Sequence, residues 1–309
     1  MFKIGLVGNS VLVENHIDAL KKIHEVDISG IYDPENKLSS LFYKKYHIAV
    51  FKSFNELIEN STAIDIISIP DSLFKTVISS LIKKTKHLFI DEDVIKNNFN
   101  KLTNIYKLSV EAGIIVQPGF LLPFNPDLKE LTSPFLLPGF IEIKHFKNEI
   151  LQKDKNDFIF KVMMPDIFLI INRIKSNLKK IETSSVNFNE NSSILINTYM
   201  MFENGSFANI TAGNFMHESR HDLTLYQNSS KIDIDLRNNK RDRLNKKINN
   251  TIKKAIPDLP SNTLEDALKL FIYSVNKSIE PDINLNQAIE ALHIANTIQY
   301  KLNFSHQSV

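Results

Sequence analysis

Three consecutive carboxylates, Asp91-Glu92-Asp93, close the apolar run His87-Leu88-Phe89-Ile90, and their types and spacing are the most chemically telling feature of the chain. Acids at the end of a buried strand can take up a proton, hold a cation or repel an anion. Two like charges about 4 Å apart repel by roughly 1 kcal/mol in water and by about 4 kcal/mol at an intermediate effective dielectric. Some of the three can therefore hold protons. The plainer reading is a solvated loop that follows a strand. A carboxylate metal site is the third reading, and no histidine at ligand spacing strengthens it. Asp33, after Gly30-Ile31-Tyr32, is suited to a ribose diol and would disfavour a 2′-phosphate, or it simply ends a strand and opens the Asp33-Pro34 turn. His217, Glu218, Arg220 and His221 form a further polar cluster, in which Arg220 either meets a phosphate or ends a strand. His16, inside a helical pattern, reads as a packing residue.

Two kinds of pattern must position these groups. Up to residue 118, short apolar runs (Lys3–Gly8, Asp27–Asp33, Ile48–Phe51, Ile64–Ile69, His87–Asp91 and Gly113–Gln117) alternate with helical stretches near 12–23, 36–46, 53–59, 72–84 and 97–111. Continuous apolar strands separated by helices predict a doubly wound parallel sheet buried on both faces, an α/β domain of the Rossmann kind. Ser53 and Glu56 have the spacing of a capping box. After Pro118 longer strand-like runs take over: Phe140–Ile150, Lys180–Phe188, Ile194–Phe202, Ser206–Phe215 and His221–Leu236, with one helical segment, Phe158–Ser176. Glu203-Asn204-Gly205 reads as a hairpin turn. The expectation for residues 119–309 is an α+β domain with a largely antiparallel open sheet. Residues 237–258, rich in Lys, Arg and Asn, read as a solvated connection, and helices near 262–278 and 284–302 close the chain, the last packing back toward the first domain.

A chain of 309 residues exceeds the usual single core, so two domains are expected. The net charge of +2 is small and scattered, which argues against nucleic acid or a membrane surface as partner. With no cysteine, disulfides, thiolate catalysis and cysteine-ligated metals are excluded. No apolar stretch has membrane-spanning length, nothing like a signal peptide precedes Lys3, and a cytoplasmic protein is expected.

Several segments together resemble the glucose-fructose oxidoreductase / inositol dehydrogenase (Gfo/Idh/MocA) family, most of all its nucleotide-sugar dehydrogenase branch. They are Gly5-Leu6-Val7-Gly8 with Asn15-His16-Ile17, Ile31-Tyr32-Asp33-Pro34, Phe124-Asn125-Pro126 after Gly119, Phe202–Ala212 and the closing Asn286–Leu302 stretch. The resemblance implies a Rossmann domain over residues 1–118, a substrate and oligomerisation domain over 119–309, and association of copies through the open face of the second sheet. It places Gly8, Ser10, Asp33 and Pro70 at cofactor positions, Glu92 and Asp166 at catalytic motif positions, and Asn125 and Arg220 where substrate would bind. It implies NAD in preference to NADP.

The departures fall on the chemistry. The family's Glu-Lys-Pro lysine, beside the nicotinamide and the reacting carbon, corresponds to Glu92, and its proton-accepting histidine to Pro165; an expected aspartate is Lys161, and Phe168 replaces another. A His-x-Glu-Arg stretch of the branch reads Phe120-Leu121-Leu122-Pro123, and a threonine and a histidine of the fourth strand region read Ile69 and Phe74. In the phosphate loop the second and third glycines are Ser10 and Val13, and two methyls at a helix–strand contact cost about 1–3 kcal/mol unless the backbone shifts. General base catalysis contributes about 10²–10⁴ in rate, and a positioned cation often more. The expectation is a diverged family member without ordinary sugar dehydrogenase activity, with a binding, scaffold or regulatory role and no cofactor at all as one outcome. Its partners would be a second copy, an active relative or a small molecule. The competing expectation is an oxidoreductase that transfers hydride without this acid–base pair, as biliverdin reductase does.

Overall fold

The structure, a computed structural model, describes residues 1–9, 12–35, 45–125, 128, 139–148, 158–188, 193–214, 218–227, 230–237, 240–247, 250–255 and 263–305. The chain divides into two compact units, Met1–Leu121 with Asn262–Ile289, and Leu122–Ser261 with Glu290–Val309.

The first unit is a six-stranded parallel sheet with the order β3-β2-β1-β4-β5-β6. Its strands are β1 (Phe2–Val7), β2 (Val26–Tyr32), β3 (Val50–Phe51), β4 (Ala63–Ile66), β5 (His87–Asp91) and β6 (Val116–Gly119). The helices between them are α1 (Leu12–Lys21), α2 (Phe54–Glu59), α3 (Asp71–Lys83), α4 (Glu92–Asn97) and α5 (Leu102–Glu111). The central strands are buried at almost every position, as the unbroken Ile, Leu and Val runs require when helices cover both faces. The strand order reverses direction between β1 and β4, and in such sheets ligands bind beyond the carboxyl ends of the strands at that switch point. A later helix, α7 (Thr263–Lys277), belongs to this unit: its Phe271 ring lies 5.9 Å from Phe89 of β5, and the Ala267 carbonyl accepts a hydrogen bond from the Gln117 amide at 2.9 Å.

The second unit carries an eight-stranded mixed sheet with the order β14-β13-β12-β11-β7-β10-β9-β8, antiparallel except where β10 runs parallel to β7. Its strands are β7 (Phe140–Phe146), β8 (Leu178–Asn187), β9 (Ile194–Phe202), β10 (Phe207–Gly213), β11 (Arg220–Gln227), β12 (Ser230–Asp235), β13 (Lys240–Lys247) and β14 (Asn250–Ala255). A π-helical turn, Ile159–Met163, leads into α6 (Met164–Ile174), and α8 (Leu285–Ser305) ends the described chain. In β9 every second side chain is buried, the alternation of a sheet covered on one face. The Glu203-Asn204-Gly205 turn joins β9 to β10 with Gly205 at φ 84°, a left-handed value that suits glycine.

Four expectations are corrected. Within residues 237–258, expected as a connection, 240–247 and 250–255 form β13 and β14, which lengthen the sheet as an antiparallel pair. Their lysines, arginines and asparagines hide the strand pattern, since ladder hydrogen bonds use only backbone, and charged outer strands also discourage unwanted edge pairing. The long run His221–Leu236 is two strands, β11 and β12, paired from Gln227↔Ser230 onward. Asp91-Glu92-Asp93 is not a solvated loop: Asp91 caps α4, its carboxylate accepting the Asp93 amide at 2.9 Å. Ser53 opens α2 through its carbonyl and not through a side-chain cap, so the capping box does not form. The helix expected at 36–46 lies largely outside the described residues.

Candidate functional site

The cofactor positions gather at the carboxyl ends of β1, β2 and β4. Gly8 follows β1 at φ 151°, and a Cβ there would meet Ser68 at 2.7 Å from its Oγ and 2.9 Å from its amide nitrogen. Glycine is therefore required by the close approach of β1 to the chain leaving β4. The next residue, Asn9, ties the loop together. Its backbone amide donates to Ser68 Oγ at 3.1 Å, and its side-chain amide donates to Asp33 Oδ1 and to Glu35 Oε2, each at 2.9 Å. Asp33 is buried at the end of β2 and also accepts the Glu35 amide at 2.8 Å, the geometry of an Asx turn. The carboxylate suited to a ribose is thus held by the loop on which a pyrophosphate would rest. Ser10 lies outside the described residues. Val13 is wholly buried in α1, so the methyls expected to crowd the strand are taken into the core. Pro70 stands at the N-cap of α3.

Beneath these strand ends lies a buried ion pair that sequence reading passed over. His16 on α1 places Nδ1 2.7 Å from Asp65 Oδ2 and Nε2 3.6 Å from Asp91 Oδ2. His16 and Asp65 are 2 % and 0 % exposed. Burial alone would depress the imidazole, but the Asp65 carboxylate, with help from Asp91, raises it to about 9. Asp65 stands in the middle of a central strand, where an apolar residue ordinarily packs, and its Oδ1 has no hydrogen-bond partner among the described residues. Only the closure of α1 on β4 and β5 brings these three together; their separations in sequence carry no motif.

Glu92 is half-buried at the first turn of α4, and burial raises its carboxyl above the ordinary value. Lys96, one turn later, meets Glu92 Oε1 at 3.0 Å and Asp93 Oδ1 at 2.7 Å. Burial works against the Lys96 ammonium, and the two acids more than offset it, raising its pKa. A cation therefore stands close to the acid cluster, but it is neutralised by it. Lys96 could have been found in the sequence from its i, i+4 spacing to Glu92.

In the second unit Asp166 is fully buried in the first turn of α6. His145 of β7 and His221 of β11 converge on it: His145 Nδ1 lies 2.8 Å from Oδ2, and His221 Nε2 lies 2.8 Å from Oδ1. The two histidines face each other across the β7–β11 ladder, their rings stacked at 3.8 Å. Burial would raise the Asp166 carboxyl, but His221 and His145 hold it well below the usual carboxylate range. Asn125 is buried after the short helical turn Leu122–Phe124. Arg220 begins β11 exposed and pairs with Asp222, two residues on, so its side chain serves the strand end. Arg173, which the sequence did not single out, donates to the Pro123 carbonyl at 2.7 Å and so anchors the turn before Asn125. Burial lowers its guanidinium to about 10, which leaves it charged at neutral pH.

Residues 2–120 match the family model described as "Oxidoreductase family, NAD-binding Rossmann fold", designated GFO_IDH_MocA. The match covers the N-terminal domain and ties that domain to the Gfo/Idh/MocA family. Solved structures of similar fold span nearly the whole chain. UDP-N-acetylglucosamine 3-dehydrogenase GnnA from Acidithiobacillus ferrooxidans is 15 % identical with a TM-score of 0.83, covering 97 % of each chain. A dehydrogenase from Chromobacterium violaceum is 14 % identical with a TM-score of 0.84, covering 99 % of this chain and 96 % of its own. Biliverdin reductase from Synechocystis sp. PCC 6803, solved with biliverdin and NADP+, is 9 % identical with a TM-score of 0.72, covering 97 % and 99 %. At these identities the likeness concerns the fold. No curated protein sequence matches the chain. Among the described residues no helix is long and apolar enough to cross a membrane.

Of the positions where the resemblance led polar groups to be expected, several are core, whereas Ile69 and Glu92 are half-buried and Lys161 is exposed. Phe74, Phe120 and Phe168 are each 0 % exposed, and Pro165 is buried at the start of α6. A side chain with no solvent-facing surface and no ionisable atom can neither take nor give a proton.

Proposed function

We propose that this protein, tied to the Gfo/Idh/MocA family by its N-terminal domain, does not perform ordinary sugar dehydrogenation and acts through binding, as a scaffold or regulatory protein. The observation that carries this reading is Glu92, a half-buried carboxylate ion-paired with Lys96 at 3.0 Å, which by the sequence resemblance corresponds to the family's lysine. A carboxylate there opposes an alkoxide instead of stabilising it. The buried Phe74, Phe120 and Phe168 support it, because substitution of site residues by apolar ones preserves a fold while removing its acid–base groups. NAD remains the cofactor favoured by Asp33, and the Asn9 amide that now occupies the Asp33 carboxylate is a competitor it must displace or accommodate. Calorimetric titration with NADH and NADPH, followed by assay with UDP-sugars, tests the reading. Either no binding at millimolar cofactor or binding without sugar turnover is expected, and turnover of a UDP-sugar with NAD would overturn it.

A second reading, NAD(P)-dependent hydride transfer to a non-sugar acceptor, is favoured by Lys96, which returns an ammonium one helical turn from position 92. The fold is shared with a biliverdin reductase solved with NADP+. Tight NADH binding together with oxidation of NADH by a non-sugar acceptor would select it.

Self-association belongs to the same proposal. Tyr199, Phe207, Phe140 and Tyr226 form an aromatic row across β9, β10, β7 and β11, with Phe140 stacked at 4.5 Å on Phe207 and at 5.3 Å on Tyr226. Phe207 and Tyr226 are 36 % and 39 % exposed, apolar surface that a second copy would cover. Light scattering after size exclusion is expected to give an oligomer for the native chain and a monomer for Phe207→Glu. A monomeric native chain would remove this part of the proposal.

A further inference from the structure

We infer that His145, Asp166 and His221 form a binding site for one divalent transition-metal ion of borderline softness, such as Zn²⁺ or Fe²⁺. All three residues belong to the second unit. Each of the three offers one ligand atom, and these atoms all lie within 4.8 Å of one another. Two donors bound to one ion at about 2.1 Å in tetrahedral geometry sit roughly 3.4 Å apart. The contacts of 2.8 Å between Asp166 and each imidazole would open by about half an ångström to admit it.

Three rigid elements fix the donors. His145 and His221 are directly opposed residues of paired strands, so their spacing is set by the β7–β11 ladder. Asp166 enters from α6, immediately after the π-helical turn Ile159–Met163, a local irregularity frequent at functional sites. The carboxylate is 0 % exposed, whereas the imidazole side chains are 13 % and 12 % exposed, so solvent reaches the site from the histidine side.

The donor set selects the metal. Two imidazoles and a carboxylate without a thiolate suit zinc, iron, cobalt or nickel better than copper(I) or calcium. Three protein ligands are one fewer than a closed structural zinc site has, which leaves a position for water or a small ligand. The ion would bind Nδ1 of His145 and Nε2 of His221, each ring neutral and protonated on its other nitrogen, with any second ring proton released to solvent. Neither histidine stands near Asp166 in sequence, which is why no spaced metal motif marks the site.

The test uses the full chain after chelator dialysis, titrated with Co²⁺ by visible absorption and with Zn²⁺ by calorimetry. One equivalent is expected, with cobalt d–d bands of a nitrogen–oxygen site and a raised melting temperature. His221→Phe and His145→Phe are expected to weaken binding by at least the 10–100-fold that loss of even an outer partner brings. Absence of stoichiometric binding by the folded native chain at 1 mM Co²⁺ or Zn²⁺, a concentration of about the order of weak adventitious sites, would overturn the proposal. So would binding by both variants as tight as that of the native chain. If a variant does not fold, perturbation of the His145 and His221 ring signals by Zn²⁺ in the native chain's nuclear magnetic resonance spectrum decides instead, and unmoved signals count against the site.

Discussion

Substituting His16 by alanine is expected to destabilise the first unit by about 3–5 kcal/mol, the cost of leaving a buried charge without its partner. Among the described residues the imidazole is the hydrogen-bond partner of the Asp65 carboxylate, which is wholly enclosed in β4, and Oδ1 of that carboxylate has none. The same contact gives the fold a pH dependence with a definite sign. The His16 pKa is raised from 6.5 to about 9 in the folded chain, so folding favours the protonated ring. Its stabilisation is fully present below the unfolded value, fades as pH rises toward about 9, and is lost above it. A displacement of this size corresponds to roughly 3 kcal/mol. Urea denaturation at pH 6 and pH 9.5 checks this: the native chain is expected to lose stability across the window and His16→Gln to lose much less. Equal losses in both would show that other groups set the alkaline limit. Asp65→Leu with His16→Leu, which removes both charges, is expected to recover most of the deficit.

Asp166→Ala is expected to cost the second unit a similar amount, about 3–5 kcal/mol, because it strips a buried carboxylate from two stacked imidazoles and opens a cavity at the start of α6. The instructive comparison is the triple replacement Asp166→Leu, His145→Phe, His221→Phe. Buried charged clusters can usually be exchanged for apolar side chains of similar volume without loss. The triple variant is therefore expected to unfold within about 1 kcal/mol of the native chain while Asp166→Ala falls well short of it. Thermal unfolding followed by circular dichroism separates the two. Such a result would mean that the cluster is dispensable for folding and kept for what it binds; a triple variant as unstable as Asp166→Ala would make it a folding element.

Much of the architecture was legible because burial leaves a pattern. The strands of the first sheet read as apolar runs since helices cover both their faces, and β9 and β10 read as alternation since one face is covered. The Asn204-Gly205 turn was legible because a left-handed residue demands glycine. β13 and β14 were not, because an outer strand of charged residues satisfies its backbone without any apolar signature. The short helix α4 was also missed: its acidic first turn, favourable at a helix N-terminus, looks in sequence like a solvated loop.

By itself the sequence determined the two-domain α/β and α+β plan and the family resemblance, which sets Glu92 and Pro165 against a lysine and a histidine, since each depends on residue type along the chain. Tertiary structure alone decided that Lys96 neutralises Glu92, that Asn9 occupies Asp33, and that two three-residue clusters, His16-Asp65-Asp91 and His145-Asp166-His221, exist at all. The last two join residues 21 to 55 positions apart or more, across a helix and separate strands. Such groups share a dielectric environment and a proton only once packing expels the water between them, and no local spacing rule records that event.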